Sequence, residues 1–285
     1  ISPLIRALTE DSSERRSAAA LALGTIPAND AVIASLRSAV ADEASDVRAS
    51  AIQSLADFAS GSAEITGALD DDNQIVRHAA ATALTNQPLF DIAVLRDIYD
   101  TATEAGRLVL TEAMASGPKH GKHTELLADV LRTDTDPHVR AAAASGLTND
   151  NTDALIEALE SDLDSTVKTA AAAALDTRFA PKASAALIAA LGDRSPSVRR
   201  AAIQTLRAGG IEPTGPDVAV RFAIAAEQFH EAAQMGECAI DALHRILDET
   251  DTDADSCRRR AGALTALVQI GSKKALDAAL KGLRD

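Results

Sequence analysis

The sequence contains no tryptophan, one tyrosine and five phenylalanines in 285 residues. With aromatics at 2% and hydrophobic residues at 46%, any core must be built from Ala, Leu, Ile and Val. Small and branched aliphatics suit closely approaching helices better than a sandwich or a barrel. Cysteine is as scarce: Cys238 and Cys257 match no zinc or CxxC spacing and read as buried free thiols in a reducing cytoplasm. No run approaches the ~18 uninterrupted apolar residues of a membrane span. No basic-then-apolar leader opens the chain, and Ile1 stands first without a methionine, as in a trimmed or partial chain.

Lysine is the next shortage. The formal net charge is −14, Arg outnumbers Lys 21 to 7 and Asp outnumbers Glu 28 to 14. A surface of that sign repels duplex DNA or RNA, which argues against nucleic acid as the partner. Asp-rich, Lys-poor surfaces resemble those of proteins from salt-accumulating microbes. In molar salt the Debye length is about 3 Å, so recognition would rest on contact shape and hydrogen bonds.

Catalytic patterns are missing too. There is no Gly-rich phosphate loop, no G-x-S-x-G and no HExxH, so no catalytic residue, cofactor or metal centre is expected. His120 and His123, with Lys119 and Lys122, form the one locally basic loop, GPKHGKH; with His138 they are the weak candidates for an anion or metal, against a solvated loop.

What the chain does contain is repetition. Basic residues Arg16, Arg48, Arg77, Arg107, Arg140, Lys168 and Arg199 are spaced by 32, 29, 30, 33, 28 and 31 residues, and Arg260 follows after 61. Taking each as an anchor, an aliphatic or Met stands seven residues on (Leu23, Leu55, Leu84, Met114, Leu147, Leu175, Leu206, Leu267). Alanine usually stands at +3 and valine at −1, and these offsets share one helical face. Ser12, Ala44, Asn73, Thr103, Asp136, Asp164 and Ser195 stand at −4, mostly N-cap types, with proline next in two units (Pro137, Pro196). The spacing therefore starts each anchor helix about three residues before its anchor. Another apolar helix precedes each cap, as in TELLADVL and DALIEAL. Two such helices cannot bury their apolar faces alone, but stacked units can. The expected fold is all-α, a right-handed α-solenoid of about nine two-helix repeats. Its expected organisation is a regular array over 1–208, a Gly/Pro-rich junction at 209–216 and degenerate repeats over 217–285, which open with a long helical run from Asp217 to Met235.

The strings DTDPHVRAAAASGL, DEASDVRASAIQSL and DRSPSVRRAAIQTL resemble the HEAT-like repeats first named in phycobilisome (PBS) bilin lyases. The resemblance implies that first helices form a convex wall, that anchor helices line a concave one, and that the arginines pair with turn acids. A cation in the first turn opposes the helix dipole, so its recurrence wants such a reason. The ladder would join Arg48, Arg77, Arg140 and Arg199 to acids six residues before the anchors, such as Asp42, Asp71, Asp134 and Asp193. HEAT-like hydroxylases carry repeated His-Glu pairs for iron, whereas this chain has one, His230-Glu231. HEAT-like DNA glycosylases present a basic groove, and this chain is acidic.

Offsets +1, +5 and +9 point away from the packed face. They carry Gln53; His78, Thr82 and Asn86; Leu108 and Glu112; Ser145 and Asn149; Arg200 and Gln204, mostly small and polar, with Leu108-Val109 an apolar exception. The expected function is a non-enzymatic scaffold or adaptor in the cytoplasm, holding a protein or peptide partner along these positions without cofactor. The alternatives are a bilin or prosthetic-group lyase or chaperone subunit, and an accessory subunit of a signalling or motility assembly.

Overall fold

A computed structural model describes residues 1–58, 61–86, 91–117, 123–176, 181–248 and 254–283. Nineteen α-helices and no strand occur among them. They form nine consecutive pairs and one closing helix, an all-α solenoid. The chain divides into two compact units, Ile1–Asn151 and Thr152–Asp285.

The first unit holds α1 (Ser2–Ala7) with α2 (Ser13–Gly24), α3 (Asp30–Ala39) with α4 (Ser45–Asp57), α5 (Ser62–Gly67) with α6 (Gln74–Asn86), α7 (Ile92–Thr101) with α8 (Glu104–Ser116), and α9 (Thr124–Thr133) with α10 (Pro137–Gly146). The anchor helices α2, α4, α6, α8 and α10 pack one on the next. The second unit holds α11 (Thr152–Ser161) with α12 (Ser165–Ala174), α13 (Pro181–Ala190) with α14 (Pro196–Ala208), α15 (Pro216–Ala225) with α16 (Phe229–Gln234), α17 (Ile240–Leu247) with α18 (Ala254–Ile270), and α19 (Lys273–Gly282).

The repeat register is the register of the core. Val47, Val76, Val139, Val167 and Val198 at −1 are fully buried, as are Ala51, Ala80, Ala143, Ala171 and Ala202 at +3. The +7 residues Leu23, Leu55, Leu84, Leu147 and Leu206 join them. Each buried leucine contributes roughly 1.5–3 kcal/mol. Seven anchor helices, α2 through α14, start three residues before their anchors. Side-chain caps form at Asn73, Thr103, Asp136 and Asp164. Ser12 and Ser195 make no such bond; the Ser195 hydroxyl lies 2.8 Å from that of Ser197 instead.

Small residues let the anchor helices touch. A Cβ on Gly146 would stand 2.5 Å from Ala115 Cα, so α10 meets α8 almost backbone to backbone. Hydroxyls then sew neighbours together: Ser54 Oγ donates to Ala20 O at 2.9 Å, and Thr205 Oγ1 to Ala172 O at 2.8 Å. Both are the +6 residue of one anchor helix bonding the +4 carbonyl of the one before.

Four sequence expectations change. Cys238, in a turn before α17, and Cys257, in the first turn of α18, are exposed rather than buried. Val109 is buried, because +2 faces the seam between anchor helices, as Ser50 does against Ser17 at 2.8 Å. The continuous helix expected from Asp217 to Met235 breaks into α15 and α16 around Glu227, whose φ is 59°. In α18 the buried guanidinium belongs to Arg259, while Arg260 turns to Cys257 Sγ at 3.4 Å. The 209–216 stretch lies within the second unit, with Gly210 and Gly215 at φ of 70° and 88°.

Candidate functional site

Two side-chain systems meet on the anchor helices: the ionic ladder at their N-termini and the grooves between their outward faces. The ladder joins the turn of one repeat to that of the next.

Arg16 Nη1 donates to the carbonyls of Glu10 and Asp11 at 3.0 and 3.1 Å, closing its own turn. Its Nε and Nη2 reach Asp42 of the next repeat, both at 2.8 Å. Arg48 repeats this: Nη1 takes the Asp42 and Glu43 carbonyls, while Nε and Nη2 each lie 2.7 Å from Asp71. Asp42 and Asp71 also accept the N–H groups of Ala44 and Asn73 at 2.9 and 2.8 Å. Each aspartate thus holds its own turn and grips its neighbour. The guanidinium first and that backbone bond second hold both carboxyls below their ordinary range, against the opposing pull of burial.

The rungs vary along the chain. Arg107 Nε meets Asp134 at 2.9 Å, and the Tyr99 hydroxyl donates to the same carboxylate. Burial pulls Asp134 upward, but the bonds from Tyr99, Asp136 N–H and Arg107 outweigh it and lower its pKa. Burial and then the bond to Asp134 push the Tyr99 phenol well above its ordinary range. Asp193 pairs with a lysine, Lys168 Nζ at 3.0 Å. Arg140 and Arg199 take their own turn carbonyls, Asp134 and Thr135 for one, Asp193 and Arg194 for the other. Arg77 does the same with Asp71 and Asp72, but the next repeat has Thr101 where an acid would stand. Its buried Nε has no partner among the described residues. That rung is missing.

Beyond the ladder, α4 and α6 leave a groove of about 520 Å³ lined by Gln53, Asp57, His78, Thr82 and Asn86 over alanines. A second groove of about 500 Å³ lies between α12 and α14, lined by Ala173, Asp176, Gln204, Thr205 and Ala208. The repeat register explains both: +5 and +9 face outward from two adjacent helices, and alanine between them keeps the floor low. Gln53, Thr82, Asn86 and Gln204 are exposed, and their side chains make no hydrogen bond among the described residues. His78 is half-buried, 3.1 Å from Gln74.

The other candidates stand outside these two grooves. Leu108 is half-buried, Glu112 and Arg200 are exposed, and Ser145 donates its hydroxyl to Ala142 O at 2.7 Å. Asn149 begins a short 3₁₀ turn after α10. Asp57 and Ala173, placed by the same offsets, line the grooves as well. Of the basic loop, Lys119, His120 and Lys122 lie outside the described residues, while His123 is buried and His138 exposed. No group of three metal-ligating side chains occurs among the described residues, where His230 instead faces Gln269 and Gln234 at 3.3 and 3.0 Å. None of the described helices is long and apolar enough to cross a membrane.

The family model for HEAT repeats matches residues 152–219, which span α11 to the start of α15. The repeats are HEAT-like. No curated protein matches the chain. Among solved structures, Kap95p, described with RanGDP, is 14% identical with a TM-score of 0.50, over 94% of this chain and 45% of that one. The YibA protein of E. coli is 18% identical over 93% of this chain and 99% of its own, with a TM-score of 0.45. Human deoxyhypusine hydroxylase is 16% identical over 95% of both, with a TM-score of 0.35. At these identities the HEAT-like assignment concerns the fold.

Proposed function

We propose that this chain is a non-enzymatic scaffold that holds a protein or peptide partner in the grooves between its anchor helices. The observation that carries the reading is the α4–α6 groove, where Gln53, Thr82 and Asn86 keep unused hydrogen-bonding capacity above an alanine floor. Carboxamides offer a donor and an acceptor together, which matches an extended backbone. A shallow, open, mostly uncharged groove suits a chain lying along it better than a reacting small molecule. The second groove repeats the arrangement with Gln204. HEAT-like repeats form extended surfaces of this kind from stacked helices.

A photo-crosslinking residue at Thr82, in lysate of the source organism, tests the proposal. The expected outcome is a discrete protein adduct that disappears when Gln53 and Asn86 are both replaced by alanine. The same adduct from a crosslinker at Ser35 of α3, which lines neither groove, would refute a groove-specific site.

A further inference from the structure

The repeat pattern fails between Gly209 and Gly236, and the failure opens a cavity in the second unit. Helices α13, α15, α17 and α18 surround about 440 Å³ into which three arginines are gathered, Arg221, Arg245 and Arg259. That volume falls in the range of small-molecule sites, roughly 300–1,000 Å³. Arg259 is 3% exposed and forms the buried end of the lining. Arg221 of α15 and Arg245 of α17 are exposed, and neither forms an ion pair or hydrogen bond among the described residues.

Two carboxylates share the lining, Asp217 and Asp241, and Asp241 is already engaged by Lys274 at 3.1 Å. The lining thus carries three guanidinium groups against two carboxylates, in a chain whose net charge is −14. Its aliphatic wall consists of Val220, Ile224 and Ile246, each less than a tenth exposed. Such a wall lowers the local dielectric and strengthens the pull of a guanidinium on an oxyanion. The planar guanidinium also matches two oxygens of one phosphate or carboxylate.

We propose that this cavity binds a small amphipathic anion. Its phosphate or carboxylate head sits among Arg221, Arg245 and Arg259, and its aliphatic body lies along Val220, Ile224 and Ile246. The site is separate from the grooves between anchor helices and stands or falls without them.

Calorimetric titration of the full chain with octyl phosphate, octanoate, octanol and inorganic phosphate tests this. At least one of the two amphipathic anions is expected to saturate a single site, with octanol and inorganic phosphate at least tenfold weaker. The double variant R221A/R245A, both positions exposed, should keep its circular dichroism and bind that anion at least tenfold more weakly. Equal binding of octanol, unchanged affinity in the variant, or no binding of either anion overturns the proposal. Cys238 lines the same cavity and gives a second readout in a C257S background. Saturating anion should slow its alkylation by iodoacetamide several-fold; an unchanged rate would place the anion elsewhere and overturn the assignment.

Discussion

Arg48 and Asp71 face each other through two parallel hydrogen bonds of 2.7 Å, while Asp71 Oδ1 also receives the N–H of Asn73. The side chains are only 17% and 15% exposed, so solvent screens the pair weakly. D71A strands the guanidinium and uncaps the turn at once. It is expected to cost about 3 kcal/mol, the low end for breaking a buried pair. R77A removes only bonds to turn carbonyls and should cost about 1 kcal/mol. Urea denaturation of the two variants checks the order; equal costs would deny the ladder its inter-repeat role.

The missing rung can be supplied. T101D places an acid six residues before Arg107, where the other repeats hold Asp42, Asp71, Asp134, Asp162 and Asp193. With Arg77 Nε waiting, the variant should gain about 0.5–1 kcal/mol, the worth of a partly exposed pair. The gain should vanish in T101D/R77A, which a double-mutant cycle in urea would register.

Stability should form a plateau bounded at both ends of the pH scale. Asp42, Asp71 and Asp134 have folded-state pKa values below their unfolded ones. Their contribution is present above about pH 4 and is lost as pH falls through the folded values. D71N should flatten that acid limb. Tyr99 is shifted the other way, so its contribution is complete below about pH 10 and lost as pH rises through the folded value. As the sole tyrosine, it can be followed by tyrosinate absorbance. Ionisation should begin only as the chain unfolds, and Y99F should flatten the alkaline limb.

Two glycine substitutions should have opposite signs. In an open helix Gly→Ala gains about 1 kcal/mol, and Gly67 in α5 has nothing within 4 Å of a new Cβ. At Gly146 the Cβ would meet Ala115 Cα at 2.5 Å and Ala115 Cβ at 2.6 Å. G67A should raise the thermal midpoint, and G146A should lower it by the equivalent of about 1–3 kcal/mol, the cost of overpacking. A stabilising G146A would mean that α8 and α10 have slack the geometry does not show.

The repeats were legible because burial and sequence share one period. Val47, Ala51 and Leu55 fall on one helical face, and the same face recurs wherever the anchor does. The outward positions of α4 and α6 follow from the same register, which puts Gln53, Thr82 and Asn86 on the exposed face. Seam chemistry was less legible, since Ser54 and Thr205 look like ordinary surface hydroxyls until a neighbouring carbonyl is known to lie 2.8–2.9 Å away. Their signal was a hydroxyl at +6 where other repeats carry Ala or Gly. The arginine cavity had no periodic signal at all. Arg221, Arg245 and Arg259 are scattered in sequence and converge only because the repeat breaks down around them.

In most rungs, closing a turn and clasping the next repeat are acts of the same carboxylate, so neighbouring repeats should melt together. Between Arg77 and Thr101 that sharing stops. Hydrogen exchange should therefore show a fault line there: the amides of α4 and α6 exchange as one block, and those of α8 and α10 follow a clock of their own.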